Sequence, residues 1–191
     1  MSLDAFLENA LNFARNAPTD INEHIPTLLE LGRECDTIIE MGVRSGMSTR
    51  AFMNTEAKLT CYDIVLNQRL VEMFKLLSET YGRDVSYIEA DVLKLEIPEV
   101  DLLFIDTLHT NGQLRQELRL HGNKAQKYLA FHDTQTFGTR DERMSGEYPK
   151  KPIAGEGLLP AIIDFMIENP HWRFKSHFTN NNGLTVLERC K

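Results

Sequence analysis

Three cysteines in the whole chain, Cys35, Cys61 and Cys190, are an odd count with no paired spacing, which gives no basis for a disulfide framework. No C-x-x-C pair occurs, so a structural zinc site has no ligand spacing to use. Reduced thiols in a cytoplasmic protein are the expectation. Positive charge is also scarce: 21 Lys and Arg against 28 Asp and Glu give a net charge of −7. A chain of that sign has little to exchange for phosphate counterions, which argues against a nucleic-acid partner. Lys150-Lys151 is the one notable basic pair and reads as a solvated loop. No apolar run approaches the length that crosses a bilayer, and no secretory pattern opens the chain, so no membrane partner is expected. Internal repeats and low-complexity tracts are missing too.

What is present is ample core material, 42% hydrophobic residues over 191 positions, enough for one domain spanning 1–191. Helical spacing marks Leu3–Ala17 and Ile21–Leu31, so residues 1–34 read as N-terminal helices. Strand patterns follow at Thr37–Met41, Lys58–Ile64, Val85–Glu89, Val100–Ile105 and Tyr128–His132. They alternate with helical patterns at Ser48–Asn54, Asn67–Tyr81 and Gln113–Leu120. Residues 134–157 are polar and aperiodic, the composition of a mobile active-site loop. Helix Leu158–Glu168 comes next, and Trp172–Phe178 and Leu184–Arg189 flank an Asn-rich hairpin turn. The alternation predicts an α/β fold: a Rossmann-like, mostly parallel seven-stranded sheet with helices on both faces and a C-terminal antiparallel hairpin.

The most informative stretch is Thr37-Ile-Ile-Glu40-Met-Gly42-Val-Arg-Ser-Gly46-Met-Ser48-Thr49, a strand, a tight turn and a helix start. Such a unit builds one wall of a nucleotide-sized pocket. A dinucleotide fingerprint starting at Gly42 needs glycines at positions occupied by Arg44 and Met47. Without them, close approach of a pyrophosphate to the helix loses its steric basis, which disfavours a nicotinamide-dependent oxidoreductase. Acids stand at or near successive strand ends: Glu40, Asp63, Asp91, Asp106 and Asp133. A pocket rimmed by carboxylates suits a cationic ligand.

The E-x-G-x-x-x-G pattern at Glu40 resembles motif I of the class I S-adenosylmethionine (SAM) methyltransferases, and the resemblance extends from Thr37 to Arg189. It implies SAM as cofactor, held by Glu40, Gly42, Gly46 and Ser48. Asp63 would take the ribose hydroxyls, Ile64 would lie on the adenine, and Asp91 would face the adenine amino group. It also implies that the first two helices cover the pocket side. A second cluster, Asp106-Thr-Leu-His109 with Phe131-His132-Asp133-Thr134, resembles the macrocin-type sugar O-methyltransferases and so-called cephalosporin hydroxylases, a methyltransferase family 24-like subgroup. That likeness makes Asp106 and Asp133 ligands of a divalent metal, Mg or Mn, with His109 as general base beside Asp106. His132 replaces an acid of the pattern and becomes the third candidate ligand, which shifts the preference toward a softer metal or none.

Each residue has a bland counterpart: His109 as a loop cap, His132 as a hydrogen-bonded structural histidine, Asp133-Thr134 as a turn. His24, His121, His171 and His177 have no supporting pattern and read as surface or packing residues. The resemblance implies O-methylation of a small, hydroxylated, sugar-like acceptor, with a homodimer expected on family grounds alone. Two alternatives stand beside it. One is an iron-dependent hydroxylase-like enzyme; against it, His132 and Asp133 are adjacent and alternate faces if they lie on one strand. The other is a non-catalytic SAM-binding module.

Overall fold

The computed structural model describes residues 2–190. All seven strands join one sheet: β1 (Thr37–Met41), β2 (Lys58–Asp63), β3 (Val85–Glu89), β4 (Val100–Ile105), β5 (Ala125–His132), β6 (Trp172–Phe178) and β7 (Leu184–Arg189). Their order is β3-β2-β1-β4-β5-β7-β6. The first five run parallel, and β7 inserts antiparallel between β5 and β6. The expected mostly parallel seven-stranded sheet with a terminal hairpin is what forms.

Alternation along the central strands explains the two cores. Ile38, Leu102, Phe104 and Ala130 pack with α1 (Leu3–Asn16), α2 (Ile25–Arg33), α3 (Met47–Met53) and α4 (Gln68–Lys75). Ile39, Met41, Leu103, Ile105 and Phe131 point the other way, onto α5 (Asn111–His121) and α6 (Leu158–Glu168). Both faces of each central strand are therefore covered, which is why those strands read as continuous apolar runs. Among the described residues no helix is long and apolar enough to cross a membrane.

Element boundaries differ from the sequence reading where a distant residue caps an end. Helix α5 starts two residues early because the Asp141 carboxylate accepts the Asn111 N–H at 2.7 Å, while Thr110 accepts from Gln113 at 3.2 Å. The second predicted helix is split into a short 3-10 turn, Asn22–His24, and α2, with Pro26 in the first turn of α2. The helix predicted over Asn67–Tyr81 ends as a wider π-type turn, Leu76–Thr80. The N-terminal helices do not line the cleft: α1 and α2 pack on α3, and the segment between them reaches the β5 end and the hairpin turn through Thr19, Asp20, Glu23 and His24.

Candidate active site at the strand ends

The strand order reverses between β1 and β4, and a cleft of about 410 Å³ opens there, the position where open α/β sheets take ligands. Gly42, Asp63, Ile64, Asp91, Asp106 and Leu108 are among its lining residues. Gly42 has a φ of +84°, and a Cβ there would stand 2.0 Å from the Asp106 carbonyl oxygen. Glycine is thus required by the close approach of the β1 and β4 ends. Asp63 holds the turn after β1: its Oδ2 accepts the N–H of Val43 at 2.8 Å and of Arg44 at 2.9 Å, and its Oδ1 accepts from Val65 at 3.1 Å. A carboxylate has about four acceptor sites, so some capacity remains toward the cleft. Ile64 and Leu108 are exposed apolar side chains on the cleft wall, surfaces on which a planar ring can lie. Asp91 caps the turn at Val92 by accepting from Leu93 at 3.0 Å and pairs with Lys94 at 2.8 Å.

Three of the residues expected to hold the cofactor do not line this cleft. Glu40 is fully buried beneath it, accepting from the Ser48 hydroxyl and from the Cys61 thiol at 3.1 Å. Burial pushes its pKa up to about 7, against the lowering effect of those hydrogen bonds. Ser48 is spent on Glu40. Gly46 caps α3 with a φ of +73°, and a Cβ there would press on Leu70 at 2.7 Å. In this structure all three act on the turn and its packing.

Beside the cleft, Asp106, His109 and Asp133 bring one potential ligand atom each to within 4.8 Å of one another. His109 Nε2 lies 3.1 Å from Asp106 Oδ1 and 3.0 Å from Asp133 Oδ2, and its Nδ1 lies 2.9 Å from Glu142 Oε2. The imidazole is stacked on Phe137, ring centres 5.0 Å apart and planes within 1°. His132 joins from β5: its Nδ1 is 3.4 Å from Asp106 and 3.5 Å from Asp133, while its Nε2 reaches the carbonyls of Asp20 at 3.0 Å and Asn181 at 3.2 Å. Adjacent residues can share one space here because β5 ends at His132 and Asp133 turns left-handed, φ +60°. The alternation argument that separated these two side chains therefore does not apply.

Electrostatics tie the cluster together. Burial opposes charge on His109, yet Asp106 and Asp133 outweigh it and push its pKa up to about 10. His132 is raised to about 10 by the same contest. Burial works against the charge of Asp133, but both histidines hold it well below the usual carboxylate range, and Asp106 is lowered likewise. The four side chains thus form one charge-coupled cluster, with His109 Nε2 between the two carboxylates and His132 Nδ1 beside both. His132 Nδ1 and Asp133 Oδ1 are buried without a hydrogen-bond partner among the described residues. Mixed imidazole and carboxylate donors, two with an unsatisfied buried atom, fit a divalent cation of the Mn, Fe or Zn type better than Mg.

Two carboxyls of the site were not singled out from the sequence. Glu142 arrives from the irregular loop, where no periodicity announces it. Glu117, on α5, is fully buried and accepts from Thr107 at 2.6 Å and Gln113 at 2.8 Å; burial pushes it up to about 7. A signal for it existed: Glu117 falls on the same helical stripe as Leu114, Leu118 and His121. His24 and His121 are packing residues as expected, each buried with one ring nitrogen at a backbone carbonyl. A larger groove, about 480 Å³ between α5 and α6, contains none of the strand-end acids.

No family model matches this chain, and no curated protein matches it. Solved structures do. The N1-methyltransferase for 1,6-didemethyltoxoflavin from Burkholderia thailandensis, solved with that compound and S-adenosylhomocysteine (SAH), is 12% identical with a TM-score of 0.63, covering 99% of this chain and 88% of that one. The N-methyltransferase NodS of Bradyrhizobium japonicum with SAH is 14% identical at TM-score 0.61, covering 98% of each chain. A Klebsiella pneumoniae protein assigned as an O-methyltransferase is 18% identical at TM-score 0.63, covering 99% of this chain and 90% of that one. At such identities the likeness shows the fold, that of the Rossmann-like methyltransferases.

Proposed function

We propose that this protein is a SAM-dependent methyltransferase that methylates a hydroxyl of a small, sugar-like acceptor, in the manner of the macrocin-type subgroup. The observation that carries this reading is the junction at the β1–β4 switch point. There the cleft between Gly42, Asp63, Ile64 and Asp91 shares Asp106 with the Asp106–His109–Asp133 cluster. An adenosyl group fits a cleft of that volume, with Asp63 toward the ribose and Ile64 and Leu108 against the base. Carboxylates at the inner end suit the sulfonium and ammonium charges. Methyl transfer then forms an oxygen–carbon bond as the carbon–sulfur bond breaks, and the acceptor proton must leave.

His109 is the group placed to take that proton. Glu142 fixes its Nδ1 and so aims Nε2 at the space between Asp106 and Asp133. With both aspartates free, however, His109 is held protonated. A divalent cation on Asp106 and Asp133, with His132 beside them, would acidify the acceptor hydroxyl and supply the positive charge that the imidazolium otherwise provides. His109 would then be neutral at working pH.

Chelation is expected to abolish methyl transfer, with Mn²⁺ or Mg²⁺ restoring it and SAH affinity unaffected. His109→Ala should lower turnover by about 10²–10⁴-fold without changing SAH binding. Full activity after chelation removes the metal from the mechanism; full activity of His109→Ala removes the base as well. A second reading rests on the left-handed Asp133, which gathers two imidazoles and two carboxylates at one point, a donor set suited to non-haem iron. Oxygen uptake by the iron-loaded protein, with no SAH binding, would select it.

The 134–157 loop, in this account, closes over the acceptor. A homodimer and a cytoplasmic location complete the proposal.

A further inference from the structure

The loop carries a second feature that methyl transfer does not use. Arg140, Lys150 and Lys151 line a cavity of about 300 Å³ together with Thr136 and Thr139. In a chain of net charge −7, three cations converging without an acid is a local reversal of sign. Among the described residues no carboxylate pairs with any of the three. Three neighbouring acids are engaged elsewhere: Asp141 caps α5, Glu142 holds His109 and Glu156 pairs with Arg143 at 2.6 Å; Glu147 is exposed and is not part of the cavity lining.

Arg140 is positioned for an anion. Its guanidinium lies over the Tyr148 ring at 4.2 Å, and its Nε donates to the Thr136 carbonyl at 3.1 Å. Stacking occupies the guanidinium face and leaves the terminal Nη edge for a bidentate phosphate contact. The hydroxyls of Thr136 and Thr139 make no hydrogen bond among the described residues. The cavity is also coupled to the chemistry: Tyr148 touches Phe137, ring centres 6.4 Å apart, and Phe137 is the ring stacked on His109. Arg140, Tyr148 and Phe137 thus link the basic cavity to His109 of the strand-end cluster.

We propose that the cavity at Thr136, Thr139, Arg140, Lys150 and Lys151 binds a phosphate or diphosphate group carried by the acceptor. The word "acceptor" rests on the methyltransferase reading; the anion site does not. A sugar phosphate or a nucleotide-linked sugar has the required chemistry, with a hydroxyl for the cluster and an anionic group for the cavity.

The test uses inorganic pyrophosphate, followed by calorimetry in about 0.15 M salt so that exposed charges are screened. The wild type is expected to bind it saturably at one site. The Arg140→Gln, Lys150→Gln, Lys151→Gln triple variant is expected to bind at least about tenfold more weakly, with SAH affinity and circular dichroism unchanged. Absence of saturable binding, or equal binding by the variant, overturns the site. Hydroxylated sugars with and without a phosphate group are then compared as methyl acceptors. Preference for the phosphorylated ones, with the variant raising KM more than it changes kcat, supports the assignment. Equal use of neutral sugars, with pyrophosphate still bound, shows a site for a free anion and overturns its assignment to the acceptor. Pyrophosphate binding in a protein that binds no SAH sinks the methyltransferase reading alone.

Discussion

Glu40 and Glu117 have no exposed surface, and burial pushes each up to about 7 from an ordinary value of 4.5. Between those two values the folded state binds more protons than the unfolded chain, so their contribution to stability falls as pH rises from 4.5 to about 7 and is flat above. His109 and His132 act in the same direction: stability from their charged forms is complete below 6.5 and is lost as pH climbs toward about 10. The metal-free protein should therefore be more stable at mildly acidic than at alkaline pH. Glu40→Gln isolates one term. Relative to wild type it should gain on the order of a few kcal/mol between about pH 5 and pH 7.5, read by chemical denaturation. A variant-to-wild-type difference that stays constant with pH would show that Glu40 does not titrate in that range. Asp63 is a different case, because its carboxylate is exposed to the cleft and already holds three backbone amides. Under the proposed function, Asp63→Ala should weaken SAH binding by about ten- to a hundredfold, since both the proposed ribose contacts and the turn that frames them would be lost. Unchanged affinity in calorimetry would place the ribose elsewhere.

Two elements fix the site: the turn after β1 and the loop between β5 and α6. The turn exists because Gly42 takes a left-handed φ and lets the β4 end pass within contact. Gly42→Ala forces a Cβ against the Asp106 carbonyl and should cost about 2–5 kcal/mol while displacing Asp106. A stable Gly42→Ala protein with unaltered SAH binding would contradict the close packing of these strand ends. The loop is tied at its base. Leu158 donates to Phe137 at 2.9 Å and Leu159 to Gly138 at 3.0 Å, Asp141 bonds the Gly157 amide at 2.8 Å, and Glu142 reaches His109. Its middle, from Met144 to Gly155, is nearly all exposed. Trypsin should accordingly cut the free protein after Lys150 and spare the half-buried Arg140, with protection when SAH and acceptor are bound. Equal cleavage in both states would make the loop a static connection.

Across the whole molecule, one sheet joins the N-terminal helices, the cleft and the terminal hairpin, so ligand binding should stabilise the chain as a unit. Under the proposed function, SAH at a hundredfold excess over Kd contributes about 2.7 kcal/mol, or roughly 5–10 °C in Tm for a chain of this size. NAD should give no shift, because Arg44 and Met47 stand where a pyrophosphate-binding turn needs glycine. A shift with NAD and none with SAH would reverse the assignment of the cleft. The hairpin contributes to the site from the far end of the chain. Asn181 and Asn182 are left-handed, φ +46° and +67°, and their carbonyls meet His132 and the Gln135 and Thr136 amides.

The sequence by itself determined the sheet, its strand limits to within a few residues, and the set of acids at the strand ends. Continuous apolar runs and the Gly42–Gly46 turn are local properties that do not depend on distant partners. It also placed Asp106, His109 and Asp133 on one rim, because parallel strands end on the same side. Only the tertiary structure decided which way those side chains face. Glu40 and Ser48 turn inward to each other because β1 is covered on both sides. Asp133 joins His132 because the backbone turns left-handed after β5, and Glu142 enters through a loop with no periodicity to read. Spacing along a chain fixes which residues share an edge; the backbone angle at the strand end and the loops folded over it fix which atoms meet.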